Sequence, residues 1–265
     1  MPGFASISPA QLSRLIGTPD APVLIDVRVP DDFAEDPRVI PCAQRAAHRD
    51  IGGMSIADGS RAVVICHHGA KLSEGAAAIL RTRGVQAETL EGGFEGWKAE
   101  GLPLTPAAAL PATRLWVTRQ RPKIDRIACP WLIRRFIDPQ ARFMFVAPAE
   151  VVAVADRFDA VPYDIEGVTL SHRGDHCTFD AMLDDFCLRT PALDRLATVI
   201  RGADTDRHDL APQAAGLLAI SVGLSRMHRD DLAQLEAGIA LYDALYRWAR
   251  DGFDEGHDWP AGRAQ

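Results

Sequence analysis

The stretch VVICHHGAKLSEGAAAILRTRG, residues 63–84, decides the fold of the first part of the chain. Its β-branched run, Val63 to Ile65, predicts a short buried strand that ends at Cys66. A tight loop through Gly69 follows, and then a helix that begins near Ser73 and ends at Gly84 as its C-cap. Cys66 is therefore expected between the end of a strand and the beginning of a helix.

This position predicts a reactive thiol. Backbone N–H groups and the positive end of a helix dipole both favour the thiolate, which is the nucleophilic form of cysteine. Cys66 could instead be a small buried hydrophobic residue, as many free cysteines are. Its neighbours His67, His68 and Lys71 argue against this alternative, because they would be costly to bury around an inert thiol.

The pattern around this stretch predicts an α/β fold for residues 1–104. PVLIDVR (22–28) and AETL (87–90) predict further strands, and strands that alternate with helices indicate a parallel sheet covered on both faces. TPAAALPAT (105–113) predicts a linker. Residues 114–265 predict a mostly helical α+β domain with strands at RLWVT and RFMFV and a frayed tail over 254–265.

Composition excludes several classes of protein. A net charge of −7 makes nucleic acid an unlikely general partner, and no run of apolar residues is long enough for a membrane span. The five cysteines are irregularly spaced without a CxxC, which indicates reduced thiols, and the N-terminus lacks the pattern of a signal peptide. We therefore expect a cytoplasmic protein. An apolar stripe from Leu232 to Tyr246 fits core packing or the interface of a homodimer.

Four separated segments, PVLIDVR, VIPCA, CHHGAKLS and LEGGFEGWKAEGLPL, resemble a single rhodanese (sulfurtransferase) domain in order and spacing. The resemblance covers residues 6–104. It implies a persulfide on Cys66, a small sulfur donor such as thiosulfate, a thiol acceptor, and no cofactor for sulfur transfer. The residues that it places around the sulfur are Lys71, in a catalytic role, and His67, His68, Gly69, Ala70 and Leu72, in substrate binding.

Two details refine this expectation. Many rhodanese loops have arginine where this chain has Lys71, and lysine keeps the charge but lacks the bidentate fork. Cysteine phosphatases have one residue more between their cysteine and arginine, a position that Leu72 occupies here, so the shorter loop argues against a phosphatase. Asp26 and Arg28 resemble the family's acid–base pair, although a structural ion pair is the favoured alternative.

The second half resembles the C-terminal domain of the chromate-resistance protein family of ChrB type. The resemblance covers residues 113–250 and is most distinctive in DRIACPWLIRRFID and in SHRGDHCTFDAMLDDF. It implies a role linked to chromate resistance. The regulator members of that family carry a different, DNA-binding N-terminal region, so the rhodanese-like half argues against transcriptional regulation.

Two groups of residues in this half suggest chemistry. Arg119, Arg121, Lys123, Arg126, Arg134 and Arg135 could clamp an oxyanion such as chromate, or form a solvated basic face that pairs with acidic residues. His172, Asp180 and Asp204 are the preferred ligands for a possible iron, manganese or zinc ion, although no established spacing motif is present.

The sequence thus predicts a sulfurtransferase that carries sulfur on Cys66 and is coupled to a chromate-resistance domain. The alternative is a protein that uses the rhodanese fold without turnover. Cys66 would then be a redox or chromate sensor, because an accessible thiolate oxidises readily, or the fold would bind an oxyanion or a metal.

Overall fold

The computed structural model describes residues 6–57 and 59–256. The strands of its first half are β1 (Ser6–Ile7), β2 (Val23–Asp26), β3 (Arg38–Val39), β4 (Gln44–Arg45), β5 (Arg61–Ile65), β6 (Gln86–Leu90) and β7 (Thr105–Pro106). Five of them form a parallel sheet in the order β1-β6-β5-β2-β4. The predicted parallel sheet is confirmed, with β5 formed by the β-branched run of the deciding stretch.

Helices cover both faces of this sheet. They are α1 (Pro9–Leu15), α2 (Pro30–Glu35), α3 (Lys71–Thr82) and α4 (Gly93–Ala99). On one face, Ala76, Ala77 and Leu80 of α3 pack against Ile25, Val64 and Cys66. On the other face, Leu12 of α1 and Phe94 and Trp97 of α4 join the larger core. Successive residues of a strand point to opposite faces, so Ile65 and Cys66 belong to different cores.

The second half is mostly helical, as predicted. Its strands are β8 (Leu115–Arg119), β9 (Arg142–Val146) and β10 (Val161–Pro162), and its helices are α5 (Asp125–Leu132), α6 (Val151–Phe158), α7 (Thr178–Asp185), α8 (Pro191–Asp204), α9 (Gln213–Met227) and α10 (Asp231–Asp251). The strands form a small parallel sheet in the order β10-β8-β9. Pro130 lies inside α5, and the chain continues directly into a π-helical turn, Ile133–Ile137.

The two halves share one hydrophobic core. Phe136 of the π-helical turn and Tyr246 of α10 belong to the same buried cluster as Leu12 of the first half. The backbone N–H of Cys42 donates to the carbonyl oxygen of Phe136 at 3.0 Å, and the Arg250 guanidinium donates to the carbonyl oxygen of Arg14 at 2.8 Å. The halves are therefore packed together directly.

The segment predicted as a linker is partly ordered into the first half. Its strand β7 pairs antiparallel with β3, with Thr105 opposite Val39. Of the predicted tail, residues 257–265 lie outside the described residues. Within the described ranges, none of the helices combines the length and the apolar character that crossing a bilayer requires.

Candidate functional site

Cys66 follows β5 directly, and its side chain is nearly buried, at 4% exposure. The loop that follows turns back on the sulfur, so the backbone N–H of Ala70 donates to Sγ at 3.2 Å. The hydroxyl of Ser73, on the first turn of α3, lies 3.1 Å from Sγ. The thiol therefore sits at the N-terminus of α3 with two polar neighbours, as the sequence predicts.

Two glycines allow the loop to pack against the turn before α4. Gly69 has φ +68°, and a Cβ there would lie 2.5 Å from the carbonyl oxygen of Leu90. Gly93 has φ +60°, and a Cβ there would overlap the carbonyl oxygen of Cys66. The N–H of Phe94 donates to that carbonyl oxygen at 2.9 Å. The absence of a side chain at these two positions thus permits the close approach of the two backbone segments.

The other loop residues differ in exposure. Lys71 is the first residue of α3 and is exposed, and His68 is also exposed. His67 is half-buried, and its Nδ1 is buried without a hydrogen-bond partner among the described residues. Leu72 packs against the cluster that contains Cys66. The ammonium of Lys71 and the imidazole of His68 are therefore exposed to solvent, whereas the apolar side chain of Leu72 packs into the core that contains Cys66.

Asp26 and Arg28 form a buried ion pair. A guanidinium nitrogen of Arg28 lies 2.6 Å from a carboxylate oxygen of Asp26, and both side chains are almost fully buried. Arg28 also donates to the carbonyl oxygens of Asp36 and Arg38. These bonds connect the end of β2 to the segment around β3.

This pair lies on the opposite face of the sheet from the thiol. The Arg28 guanidinium packs 3.7 Å from the centroid of the Phe94 ring, on the α4 side. Cys66 packs with Ala76 and Ala77 on the α3 side. The position of Asp26 and Arg28 thus favours the structural interpretation of the pair over a direct role in catalysis.

A second cluster of functional groups lies in the other half. His172 Nε2 is 3.2 Å from Asp204 Oδ2, 3.4 Å from Asp164 Oδ1 and 3.6 Å from Asp125 Oδ2. Asp125 is fully buried at the beginning of α5, where the N–H of Thr178, at the beginning of α7, donates to it at 2.6 Å. We call Asp125, Asp164, His172 and Asp204 the His172 cluster.

The charges of the His172 cluster influence one another strongly. Burial raises the pKa of Asp125 well above its usual value, and repulsion from Asp204 and Asp164 adds to the effect. Burial also opposes ionisation of Asp164, but His172 and Arg126 outweigh it and lower the pKa of Asp164. Hydrogen bonding to Asp164 and Asp204 raises the pKa of His172 to about 10. The carboxylates of Asp125, Asp164 and Asp204 thus all lie close to the single imidazole of His172.

The predicted ligand set needs one correction. His172 and Asp204 come together as expected, but the structure does not place Asp180 with them. Asp180 is fully buried, and the guanidinium of Arg201 donates to its two carboxylate oxygens at 3.0 and 3.1 Å. Asp180 therefore forms an ion pair that connects α7 and α8. Asp125 and Asp164 lie beside the His172 imidazole instead.

The predicted basic cluster is dispersed into separate contacts. Arg119 and Arg126 pair with Asp164, at 3.1 and 3.3 Å. Arg134 pairs with Glu236 and Arg135 with Asp243, both on α10, and Arg121 donates to backbone and side-chain oxygens around Ser225. The structure thus favours the interpretation in which these residues pair with acidic groups over a convergent oxyanion clamp.

Comparison with known proteins assigns both halves to families. Residues 116–249, which are somewhat more than half of the chain, match the family model of the ChrB C-terminal domain. The chain belongs to the ChrB C-terminal domain family. Residues 8–100 match the rhodanese-like domain, so the chain is a rhodanese-like domain fused to a ChrB C-terminal domain.

Individual proteins are similar to parts of the chain. Protein ChrB of Cupriavidus metallidurans is 39% identical over 135 residues, which are 50% of this chain and 40% of that protein. The match thus spans less than half the length of this ChrB relative. A rhodanese-related protein of Thermoplasma volcanium is 25% identical over 38% of this chain and 97% of its own, with a TM-score of 0.33. Thiosulfate sulfurtransferase of Pseudomonas aeruginosa is 26% identical over 39% of this chain and 19% of its own, also with a TM-score of 0.33.

Sequence reasoning missed Asp125 and Asp164 of the His172 cluster. In the ChrB C-terminal domain, Asp125 begins a helix whose next residues are mostly apolar, and Asp164 lies just beyond β10. An acidic side chain near the end of a strand or at the beginning of an apolar helix is a signal that could have selected both. Their spacing along the chain gives no such signal.

Proposed function

We propose that the rhodanese-like domain is a sulfurtransferase that carries sulfane sulfur as a persulfide on Cys66. The observation that supports this most is the hydrogen bond from Ala70 N–H to Cys66 Sγ at 3.2 Å, made at the N-terminus of α3. Backbone donors and a helix N-terminus stabilise anionic sulfur, in the thiolate and equally in the persulfide.

The reaction proceeds in two displacements. The Cys66 thiolate attacks the outer sulfur of thiosulfate, so a new S–S bond forms to Sγ while the S–S bond of thiosulfate breaks and sulfite leaves with the electron pair. An acceptor thiolate then attacks the terminal sulfur of the persulfide. The sulfur leaves on the acceptor, and the Cys66 thiolate is regenerated without net change of charge at the site.

The loop side chains supply binding. Lys71 is exposed at the beginning of α3, where its ammonium attracts a dianionic donor. The buried Nδ1 of His67 has no hydrogen-bond partner within the described ranges, and the His68 ring packs edge-on against the His67 ring with centroids 4.3 Å apart. These two imidazoles can take up the proton that the thiol of an acceptor releases.

Cyanide as the sulfur acceptor tests this proposal. The protein is incubated with thiosulfate and cyanide, and thiocyanate is measured for the native chain and for Cys66→Ser. Cys187→Ser is the matched control, because Cys187 is an exposed free cysteine elsewhere in the chain. We expect turnover by the native chain and by the control and none by Cys66→Ser. Equal thiocyanate formation by Cys66→Ser would refute the assignment of the sulfur to Cys66.

A redox or chromate sensor is the second candidate function. It is favoured by the lysine at position 71, which cannot bind a dianion bidentately as arginine does. Without turnover, Cys66 would be oxidised reversibly by chromate or peroxide and restored by a thiol reductant. Reversible Cys66-dependent oxidation together with no thiocyanate from any sulfane donor would select this function.

We further propose that the ChrB C-terminal domain couples this chemistry to chromate. Membership of the family supports a chromate-linked role for the second half. The test is growth on chromate of a strain that lacks the gene and is complemented by the native gene or by Cys66→Ser. We expect only the native gene to restore growth on chromate. If the Cys66→Ser gene also restores growth, the chromate-linked role does not depend on the Cys66 thiol.

A further inference from the structure

We infer that the His172 cluster is a binding site for one divalent transition-metal ion in the ChrB C-terminal domain. The inference is independent of sulfur transfer, because Cys66 lies in the other domain and none of the four residues belongs to its loop.

The distances within the cluster are those of ligands around a metal. Three carboxylate oxygens lie 3.2 to 3.6 Å from His172 Nε2. Ligand atoms held about 2.0–2.2 Å from a tetrahedral zinc ion are separated by about 3.3–3.6 Å. One ligand atom each from Asp125, Asp164 and His172 also lies within 4.8 Å of the others. An ion between Asp125, Asp164 and His172 therefore fits without large movement, and Asp204, 3.2 Å from His172, is the nearest candidate for a fourth ligand.

Hydrogen bonding alone explains this arrangement poorly. A single ring N–H of His172 can point at one acceptor, whereas three carboxylates from three different elements converge on it. Two of the three distances are longer than an ordinary N–H···O hydrogen bond. Asp125 and Asp164 have other partners as well, in the N–H groups of Thr178 and Phe179 and in Arg119 and Arg126. A cation would bind the three carboxylate oxygens that lie nearest His172 Nε2.

An unpaired buried hydroxyl lies next to Asp164 along the chain. Tyr163 directly precedes Asp164 and is completely inaccessible to solvent, and its hydroxyl has no hydrogen-bond partner in the described part of the chain. Its ring packs edge-on against Trp116 and Phe143, with centroids 6.3 and 6.4 Å away. The inference of a metal therefore rests on the distances around His172.

Neighbouring groups hold the carboxylates in place. Thr178 N–H and Phe179 N–H donate to the two oxygens of Asp125, at 2.6 and 3.1 Å. The hydroxyl of Thr178 donates to Asp164 at 2.9 Å. Outer hydrogen bonds of this type orient the ligands of metal sites. His172 and Asp204 are partly exposed, at 40% and 19% of their side chains, and leave a path for the ion.

The donor set limits the class of metal. One imidazole and three carboxylates suit Mn²⁺, Fe²⁺ or Zn²⁺, whereas soft ions such as Cu⁺ prefer sulfur. Cys129 and Cys177 are fully buried nearby, but Cys129 Sγ donates to Asp125 Oδ1 at 3.6 Å and Cys177 Sγ donates to Asp180 Oδ2 at 3.5 Å. Neither thiol is among the groups that come together around His172, so the ion would be held by oxygen and nitrogen.

Metal titration of the full chain tests the inference. The purified protein is treated with a chelator, and Mn²⁺, Fe²⁺ (without oxygen) and Zn²⁺ are each titrated calorimetrically, with the bound metal counted after dialysis. We expect one ion per chain, and affinity at least about tenfold lower in His172→Ala and Asp204→Asn. His176→Ala and Asp206→Asn are the matched controls, because both residues are exposed and neither belongs to the cluster.

The chosen variants distinguish a loss of metal binding from a loss of folding. His172 and Asp204 are partly exposed, so their replacement leaves the core intact, and circular dichroism verifies the fold. The inference fails if none of the three ions binds stoichiometrically, or if His172→Ala and Asp204→Asn bind as the controls do. Formation of the Cys66 persulfide is measured in parallel and is expected to be unchanged, which separates a failure of this inference from a failure of the sulfurtransferase proposal.

Discussion

The backbone N–H of Phe94 donates a hydrogen bond of 2.9 Å to the carbonyl oxygen of Cys66, which ties the beginning of α4 to the loop that holds the thiol. Glu95 N–H adds a second bond, to the carbonyl oxygen of His67 at 3.1 Å. Two consecutive peptide groups of the loop are thus fixed by α4. The position of the thiol depends on a close backbone contact that only glycine at position 93 permits.

Gly93→Ala is expected to displace this loop. A Cβ would overlap the carbonyl oxygen of Cys66, and φ of +60° is unfavourable for alanine, so we expect a loss of about 1–3 kcal/mol in the free energy of unfolding. The rate of sulfur transfer should fall as well, because the loop that holds the Cys66 thiol is displaced. Urea unfolding and thiocyanate formation measure the two effects.

Gly75→Ala is the matched control for that change. Gly75 lies on the exposed side of α3, where the methyl group of an alanine would meet no other atom within 4 Å, so this substitution should stabilise the helix by about 0.5–1 kcal/mol. Equal behaviour of the two alanine variants would show that the contact at Gly93 is unimportant.

Removal of Arg28 is expected to destabilise the protein. The buried carboxylate of Asp26 would lose its partner in Arg28→Leu, at a cost of about 3–5 kcal/mol. Arg61→Ala breaks the exposed pair with Glu88 and should cost less than about 1 kcal/mol. Chemical denaturation measures both. Asp26→Asn that keeps normal stability but loses persulfide formation would instead establish a catalytic role for Asp26.

The shared core predicts that the two halves unfold together. We expect one cooperative transition in calorimetry, and Phe136→Ala, at 5% exposure, should lower the stability of the whole chain by about 3–5 kcal/mol. Phe158→Ala, at 57% exposure, should have little effect. Two separate transitions, only one of which responds to Phe136→Ala, would show that the halves are independent.

The charge of Lys71 predicts a salt-dependent effect on the donor. Lys71→Met should reduce kcat/KM for thiosulfate by about tenfold at low ionic strength, and the difference should shrink as salt screens the exposed ammonium. Lys71→Arg should preserve or raise kcat/KM because the guanidinium can bind an oxyanion bidentately. Lys123→Met, in the other domain, is the control. An effect of Lys71→Met that is independent of salt would argue against electrostatic attraction.

The sequence predicts the first site better than the second for a physical reason. Cys66, its loop and α3 are neighbours along the chain, so the strand run and Gly69 determine their arrangement locally. The His172 cluster is assembled from α5, α8, a loop and the residues just after β10. Local patterns could not show that Asp180 pairs with Arg201 while Asp125 and Asp164 face the imidazole.

The segment predicted as a linker, residues 105–113, also shows that local patterns do not reveal long-range contacts. The composition of residues 105–113 indicates an irregular connection, but the pairing of Thr105 with Val39 depends on where β3 lies in the folded first half. The alternation of strands and helices did suffice to predict the parallel sheet, because two of its inner strands, β2 and β5, are compact and mostly apolar runs.

Intact mass after incubation with thiosulfate tests the central claim most directly. The native chain and Cys187→Ser should each gain one sulfur atom that a thiol reductant removes, and Cys66→Ser should gain none. No added sulfur on the native chain with thiosulfate or any other sulfane donor would contradict the account of Cys66 as a persulfide carrier.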